Sequence, residues 1–103
     1  MFPVFNFCYA ALMVQASWTF LSNYGHVLVY LAKNPDARIR DIASAVGITE
    51  RSAQGIIAEL ENAGYVAVKR IGRRNSYRVN PAKKFRHPVE ADQSIAPLLK
   101  IFS

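Results

Sequence analysis

A run of 22 residues, from Tyr65 to Arg86, carries eight basic side chains and no acidic one. The rest of the 103-residue chain holds five basic and seven acidic side chains, so this run alone produces the net charge of +6. Guanidinium and ammonium groups at this density bind phosphates and other polyanions. A solvated, solubilising loop is the alternative interpretation. Which of these two interpretations holds depends on the secondary-structure elements that position the charges.

Three segments before this run share a helical spacing of apolar residues. In each, the apolar side chains recur at i, i+3, i+4 and i+7, which places them on one side of a helix. The three sets are Tyr24, Val27, Leu28 and Leu31; Ile39, Ile42, Ala43 and Val46; and Ala53, Ile56, Ile57 and Leu60. We expect three short helices whose apolar faces meet in one core.

The residues between these segments favour helix ends. Asn34-Pro35-Asp36 ends the first helix, because the residue before a proline is disfavoured in the helical region. Gly47 supplies a turn after the second helix, Thr49 caps the start of the third, and Gly64 caps its end. A short helix, a tight turn and a longer helix form a helix-turn-helix.

The apolar spacing changes to two after Gly64, which is typical of β-strands. The residues expected to face inward are Val66, Val68, Tyr77 and Val79, and those expected to face outward are Tyr65, Ala67 and Lys69. The intervening segment 71–75 contains Gly72 and Asn75, which tolerate the backbone angles of a turn. The pattern predicts a β-hairpin with a basic tip.

A basic, irregular connector follows Pro81, and a last apolar stripe lies near the C-terminus. That stripe consists of Ile95, Leu98, Leu99 and Phe102. Pro97 lies within it, so we expect a helix that begins near Ala96 or is kinked there.

These elements predict an α+β fold, a winged helix-turn-helix with a three-helix core, a β-hairpin wing and extra terminal helices. The winged domain occupies residues 17–80, and the connector and C-terminal helix occupy residues 81–103. Residues 1–16 form an N-terminal extension of uncertain role. A chain of this length buries one core, so we expect one domain.

Several runs of the sequence resemble a known family of regulators. They are Ile39-Arg40-Asp41-Ile42-Ala43, Val46-Gly47-Ile48-Thr49, Leu60-Glu61-Asn62-Ala63-Gly64-Tyr65-Val66 and, where the wing lies, Gly72-Arg73-Arg74-Asn75-Ser76-Tyr77. From about Ser17 to Phe102 the chain is similar to bacterial and archaeal winged-helix transcription regulators of the MarR and ArsR type. With the basic hairpin, this resemblance implies a cytoplasmic, sequence-specific regulator of transcription, a repressor, that binds double-stranded DNA. It would use a recognition helix at 49–63 and a wing at 65–80, and no effector is indicated.

Candidate base-reading residues lie on the free face of the third helix if Ala53, Ile57 and Leu60 face the core. They are Thr49, Arg51, Ser52, Gln54 and Gly55. Arginine pairs with guanine and glutamine with adenine, and hydroxyls near a helix N-terminus reach phosphates or base edges. The glycine departs from the family pattern, in which a longer polar side chain is common. Base readout is then poorer there, or the backbone approaches DNA more closely.

Candidate contacts to the DNA backbone come from the wing and from the second helix. They are Lys69, Arg70, Arg73, Arg74 and Asn75 of the wing, and Arg40 of the helix. Basic side chains there would hold phosphates or enter a minor groove, which strengthens binding with little choice of sequence. For Arg40 and its neighbour Arg38, a solvent-facing helix charge is an equal alternative.

A homodimer is expected because more apolar residues are present than three short helices can cover. The predicted dimer surface consists of Trp18, Phe20, Leu21, Ile95, Leu98, Leu99 and Phe102. The alternative is that these residues cap the core of the monomer itself.

The N-terminal 32 residues carry no Lys, Arg, Asp or Glu. A signal peptide begins with basic residues and a membrane span needs about 20 nearly unbroken apolar residues. Neither fits, since polar residues such as Asn6 and Gln15 interrupt this segment. We therefore expect no membrane role. Residues 1–16 are an arm that packs on a partner, or an extension upstream of a natural start at Met13.

No motif for catalysis, a cofactor or a metal is present. The chain has no glycine-rich phosphate loop, no HExxH and no CxxC, and Cys8 is its only cysteine. We expect no enzyme, no cofactor and no metal site. Two other functions stay open: a protein–protein or dimerisation module without specific DNA binding, and RNA binding, which the lack of a pair of exposed aromatics on the hairpin disfavours.

Overall fold

The structure, a computed structural model, describes residues 17–103. The expected N-terminal extension at 1–16, including Met13 and Cys8, lies outside the described residues. The elements, in chain order, are α1 (Asn23–Lys33), α2 (Ile39–Val46), α3 (Glu50–Asn62), β1 (Val66–Ile71), β2 (Arg74–Val79) and α4 (Ala96–Ile101). Three helices and an antiparallel hairpin confirm the predicted α+β winged-helix fold.

The helix ends lie close to where the sequence places them. Helix α1 stops at Lys33, and the Asn34 side chain donates to the Tyr30 carbonyl at 3.1 Å. Gly47 closes α2 with a φ of 83°, in the left-handed region that glycine adopts without strain. Helix α3 ends at Asn62 with Ala63 as its C-cap, one residue before the expected cap Gly64, which follows with a φ of 87°.

Thr49 caps the N-terminus of α3, as expected. Its hydroxyl oxygen accepts from the Ser52 amide at 3.0 Å, which satisfies one of the amides that a helix start leaves without a partner. Replacing Thr49 with alanine is expected to lower the free energy of unfolding by about 1 kcal/mol. Urea denaturation measures the change. Thr49→Ser keeps the acceptor and should stay close to the wild type; equal losses in both variants would contradict this role.

The core is built from the predicted stripes. Val27, Leu31, Ile42 and Ala53 are fully buried, and the stripe of α3 is buried along its whole length. The stripe of α2 is buried at Ile42 and Ala43 and half-buried at its two ends, whereas the stripe of α1 is open only at its N-terminal end. Tyr24, expected in the core, is 43% exposed.

The hairpin pairs Val66 with Val79 and Ile71 with Arg74, which leaves a two-residue loop of Gly72 and Arg73. Gly72 has a φ of 63° and Arg73 has a negative φ, the combination that a type II′ turn requires. The inward placement of Tyr77 is confirmed, since it is buried.

Tyr65 is not on the outer face, as strand alternation suggested, but 7% exposed in the core. It lies in the turn before β1 begins, so the alternation of the strand does not set its direction. Its hydroxyl donates to the Lys84 carbonyl, and its own carbonyl accepts from the Asn80 amide. Tyr65 therefore ties the connector to the winged domain.

The connector returns to the core before α4 starts. The Ile95 amide donates to the Lys83 carbonyl at 2.8 Å, and the Ile95 side chain is 2% exposed. Helix α4 begins at Ala96 with Pro97 in its first turn, which confirms the expected start. Within residues 17–103 no helix is long and apolar enough to cross a bilayer.

Candidate nucleic-acid interface

Helix α3 turns a polar face to solvent. Its apolar residues Ala53, Ile57 and Leu60 are buried, which meets the condition on which the predicted base-reading set depends. All five residues of that set, Thr49, Arg51, Ser52, Gln54 and Gly55, are exposed. The helix therefore offers a free face over its first two turns.

Two residues of this set are already engaged within the helix start. The Thr49 hydroxyl donates to the Ser52 hydroxyl at 2.9 Å, in addition to accepting from the Ser52 amide. Their geometry is that of a helix cap. Arg51 and Gln54 are the longer side chains of the set, and both are exposed without a side-chain hydrogen bond within residues 17–103.

The hairpin lies beside this free face of α3. The two elements border an open groove of about 650 Å³, and Gln54 of α3 lines the same groove as Arg70 and Arg73 of the hairpin. Arg38, which precedes α2, lines it as well, whereas Arg40 is exposed elsewhere on α2. One acid, Glu61, also lines the groove. Of the predicted base-reading residues, Gln54 lines this groove, whereas Thr49, Arg51, Ser52 and Gly55 lie exposed outside it. The structure thus brings one residue of the helix face together with part of the basic cluster.

The strand register divides the basic residues of the hairpin between two faces. Arg70 pairs with Asn75, and both line the groove beside α3. Lys69 pairs with Ser76, and these two line a different groove together with Arg78, against the end of α1. Lys69 therefore faces away from the groove that contains Gln54, although it is next to Arg70 in sequence.

Arg74 has a partner within the chain. Its guanidinium donates to the Asp36 carbonyl in the loop between α1 and α2 at 2.8 Å. The Tyr77 amide donates to the neighbouring Pro35 carbonyl, also at 2.8 Å. These two hydrogen bonds fix the hairpin to the helical core, so we interpret Arg74 as an anchor of the wing.

Asn75, a candidate contact, is half-buried, and its side-chain amide donates to the Tyr77 hydroxyl at 3.4 Å. Arg73, in contrast, stands exposed in the two-residue loop at the tip of the hairpin. Of the wing residues selected from sequence, Arg70 and Arg73 combine exposure with a place in the groove and have no side-chain hydrogen bond within residues 17–103.

A contact at the other end of α3 was not expected from sequence. The Tyr24 hydroxyl donates to the Glu59 carboxylate, which links α1 to α3. This hydrogen bond is the main reason that the pKa of Tyr24 is raised above 10.0. The two residues are 35 positions apart, so no local pattern indicates their contact.

The residues of the expected dimer surface differ in how far they are exposed. Trp18 and Phe20 are 68% and 94% exposed, and Phe102 lines the same surface groove as both. Leu21, Leu98 and Leu99 are half-buried. Ile95 lies in the core of the monomer, so it is not available to a second copy, and this member of the predicted surface is wrong.

The helix-turn-helix, the hairpin that follows it and the groove between them define a winged-helix protein. A model of the MarR family matches residues 21–73, just over half of the chain. The chain therefore belongs to the MarR family of transcription regulators, which supports the MarR part of the resemblance drawn from sequence.

Solved structures agree with this fold. MepR of Staphylococcus aureus, a transcription regulator of the multidrug efflux pump MepA, matches with a TM-score of 0.55 and 17% identity, over 99% of this chain and 74% of that one. PcaV of Streptomyces coelicolor, a transcriptional regulator solved with its natural ligand, matches with a TM-score of 0.52 and 20% identity, over 78% and 63% of the two chains. A search of curated protein sequences finds no significant match.

Proposed function

We propose that the protein is a sequence-specific, DNA-binding repressor of transcription that works on double-stranded DNA in the cytoplasm. The observation that carries this proposal is the shared groove, in which Gln54 of α3 and Arg70 and Arg73 of the hairpin line one surface. A helix and a hairpin side by side can occupy a major groove and the adjoining phosphate backbone at once.

Within that arrangement we assign different tasks to different residues. Arg51 and Gln54 contact base edges and set the sequence preference. Arg70, Arg73 and Arg38 contact phosphates and supply affinity with little regard to sequence. A domain bound to promoter DNA sterically blocks access to that promoter. This is the basis for proposing repression rather than activation.

Homodimerisation is part of the proposal. One copy of α3 reads only a few base pairs, and two-fold symmetry doubles the site. The aromatic side chains of Trp18, Phe20 and Phe102 supply an exposed apolar surface that shares no lining residue with the groove beside α3. Sedimentation at micromolar concentration tests this step. A species of twice 11.5 kDa is expected, and a clean monomer would reject it.

Selection of bound duplexes from a random DNA pool tests the proposed function. We expect an enriched inverted repeat whose half-sites lie about 10 base pairs apart, one helical turn. Transcription in vitro from a promoter that carries the selected sequence should then fall as protein is added. Enrichment of no motif, with retention of DNA at the background level, would support a protein–protein module instead.

A further inference from the structure

Two glycines lie inside helices of the described chain, and they differ in their surroundings. A Cβ atom built on Gly25 of α1 would meet the Leu21 Cβ at 3.1 Å, so close packing accounts for that glycine. A Cβ atom built on Gly55 of α3 would have no heavy atom within 4 Å. Neither glycine has a positive φ. Nothing within residues 17–103 therefore requires a glycine at position 55.

A glycine in the middle of a helix is less favourable than alanine, because it gains backbone freedom on unfolding. Gly55 is the sixth of the 13 residues of α3, away from either end where glycine serves as a cap. The chain thus carries a destabilising residue without an internal reason. An external reason is the close approach of a binding partner to the helix backbone.

The direction of position 55 indicates which face of α3 such a partner would contact. Successive residues turn by about 100° around a helix, so position 55 points about 160° away from both Ala53 and Ile57. Those two residues are buried in the core. Position 55 therefore points outward, within about 40° of Arg51 on the preceding turn. It lies on the free face of α3 assigned above to DNA.

We propose that Gly55 is the point at which the backbone of α3 rests directly against DNA, so that the missing side chain sets how deeply the helix enters the groove. This inference rests on the proposed function. The side chain of Gln54 is shorter than that of an arginine, so its amide reaches a base edge more easily the closer the helix axis lies to the base pairs. Any side chain at position 55 would hold the helix away and weaken that readout.

Two substitutions, Gly55→Ala and Gly55→Leu, test the inference, with Gly25→Ala as the matched control in α1. Alanine at position 55 is expected to raise Tm by roughly 4–8 °C, because it favours the helix. It should nevertheless weaken binding of the duplex selected by the wild type by about tenfold, the effect of one methyl group forced into a packed contact. Gly55→Leu should weaken it further.

If Gly55→Ala raises Tm and yet weakens binding of the duplex, the weaker binding cannot be due to loss of folding. Gly25→Ala, assayed well below its own Tm, is expected to bind the selected duplex as the wild type does. If the wild type binds the duplex and both variants at position 55 bind it equally tightly, the inference is overturned and the proposed function stands. If the wild type binds no duplex, the proposed function falls and the inference falls with it.

Discussion

Replacing Arg70 and Arg73 together with alanine is expected to lower the affinity for DNA of every sequence by about a hundredfold or more, since each charged hydrogen bond to phosphate contributes about 1.5–3 kcal/mol. Both side chains are exposed and line the groove beside α3. Removing two phosphate contacts per protomer should also reduce the slope of log affinity against log salt, by about 1.8 for each protomer bound and about 3.6 for a dimer. Fluorescence anisotropy with labelled duplexes measures both quantities.

The control removes two positive charges from elsewhere on the molecule. Lys84 and Lys100 are exposed and line neither the groove beside α3 nor the groove of Trp18 and Phe102. Their double alanine variant has the same net charge as the wing variant and should bind DNA almost as the wild type does. Equal losses in the two double variants would mean that overall charge, rather than the wing, drives binding.

The largest effect on stability is expected at Ile42. This side chain is fully buried where α2 packs on α1 and α3. Ile42→Ala should lower the free energy of unfolding by about 2–5 kcal/mol, through lost burial and the cavity left behind. Domains of this kind are stable by about 5–15 kcal/mol, so this loss is a large part of the total.

Ile101→Ala is the matched control for Ile42→Ala. Ile101 is 71% exposed on α4, so removal of the same atoms should change the free energy of unfolding by no more than about 0.5 kcal/mol. Thermal denaturation followed by circular dichroism compares the two. A similar loss in both variants would contradict the placement of the core.

The elements of the fold could be predicted from sequence because their signals are local. The stripe of α3, the Thr49 cap and the turn at Gly72 each arise from residues within a few positions of one another. Strand alternation predicts the wrong face for Tyr65 because this residue precedes β1, where the turn after Gly64 sets its direction. Spacing predicts a face only inside a regular element.

The sequence predicts the candidate site less fully than the fold, because it does not show which basic residues of the hairpin face α3. Arg73 and Arg74 are alike in sequence, because both are basic residues near the tip of the hairpin. The structure separates them, since Arg74 donates to the Asp36 carbonyl, 38 positions away in the chain. Lys69 and Arg70 are separated by strand register, which decides which of two neighbours faces α3. Such differences depend on tertiary contacts that composition does not encode.

Amide chemical shifts of the 11.5 kDa protein, recorded while the selected duplex is added, test most directly whether α3 and the wing form one DNA-binding surface. The largest changes are expected at Arg51–Gly55 and at Gly72 and Arg73, together and at the same duplex concentration, with little change in α4. Changes confined to α4 and the segment around Trp18, with α3 and the hairpin tip unaltered, would contradict the shared surface and the function built on it.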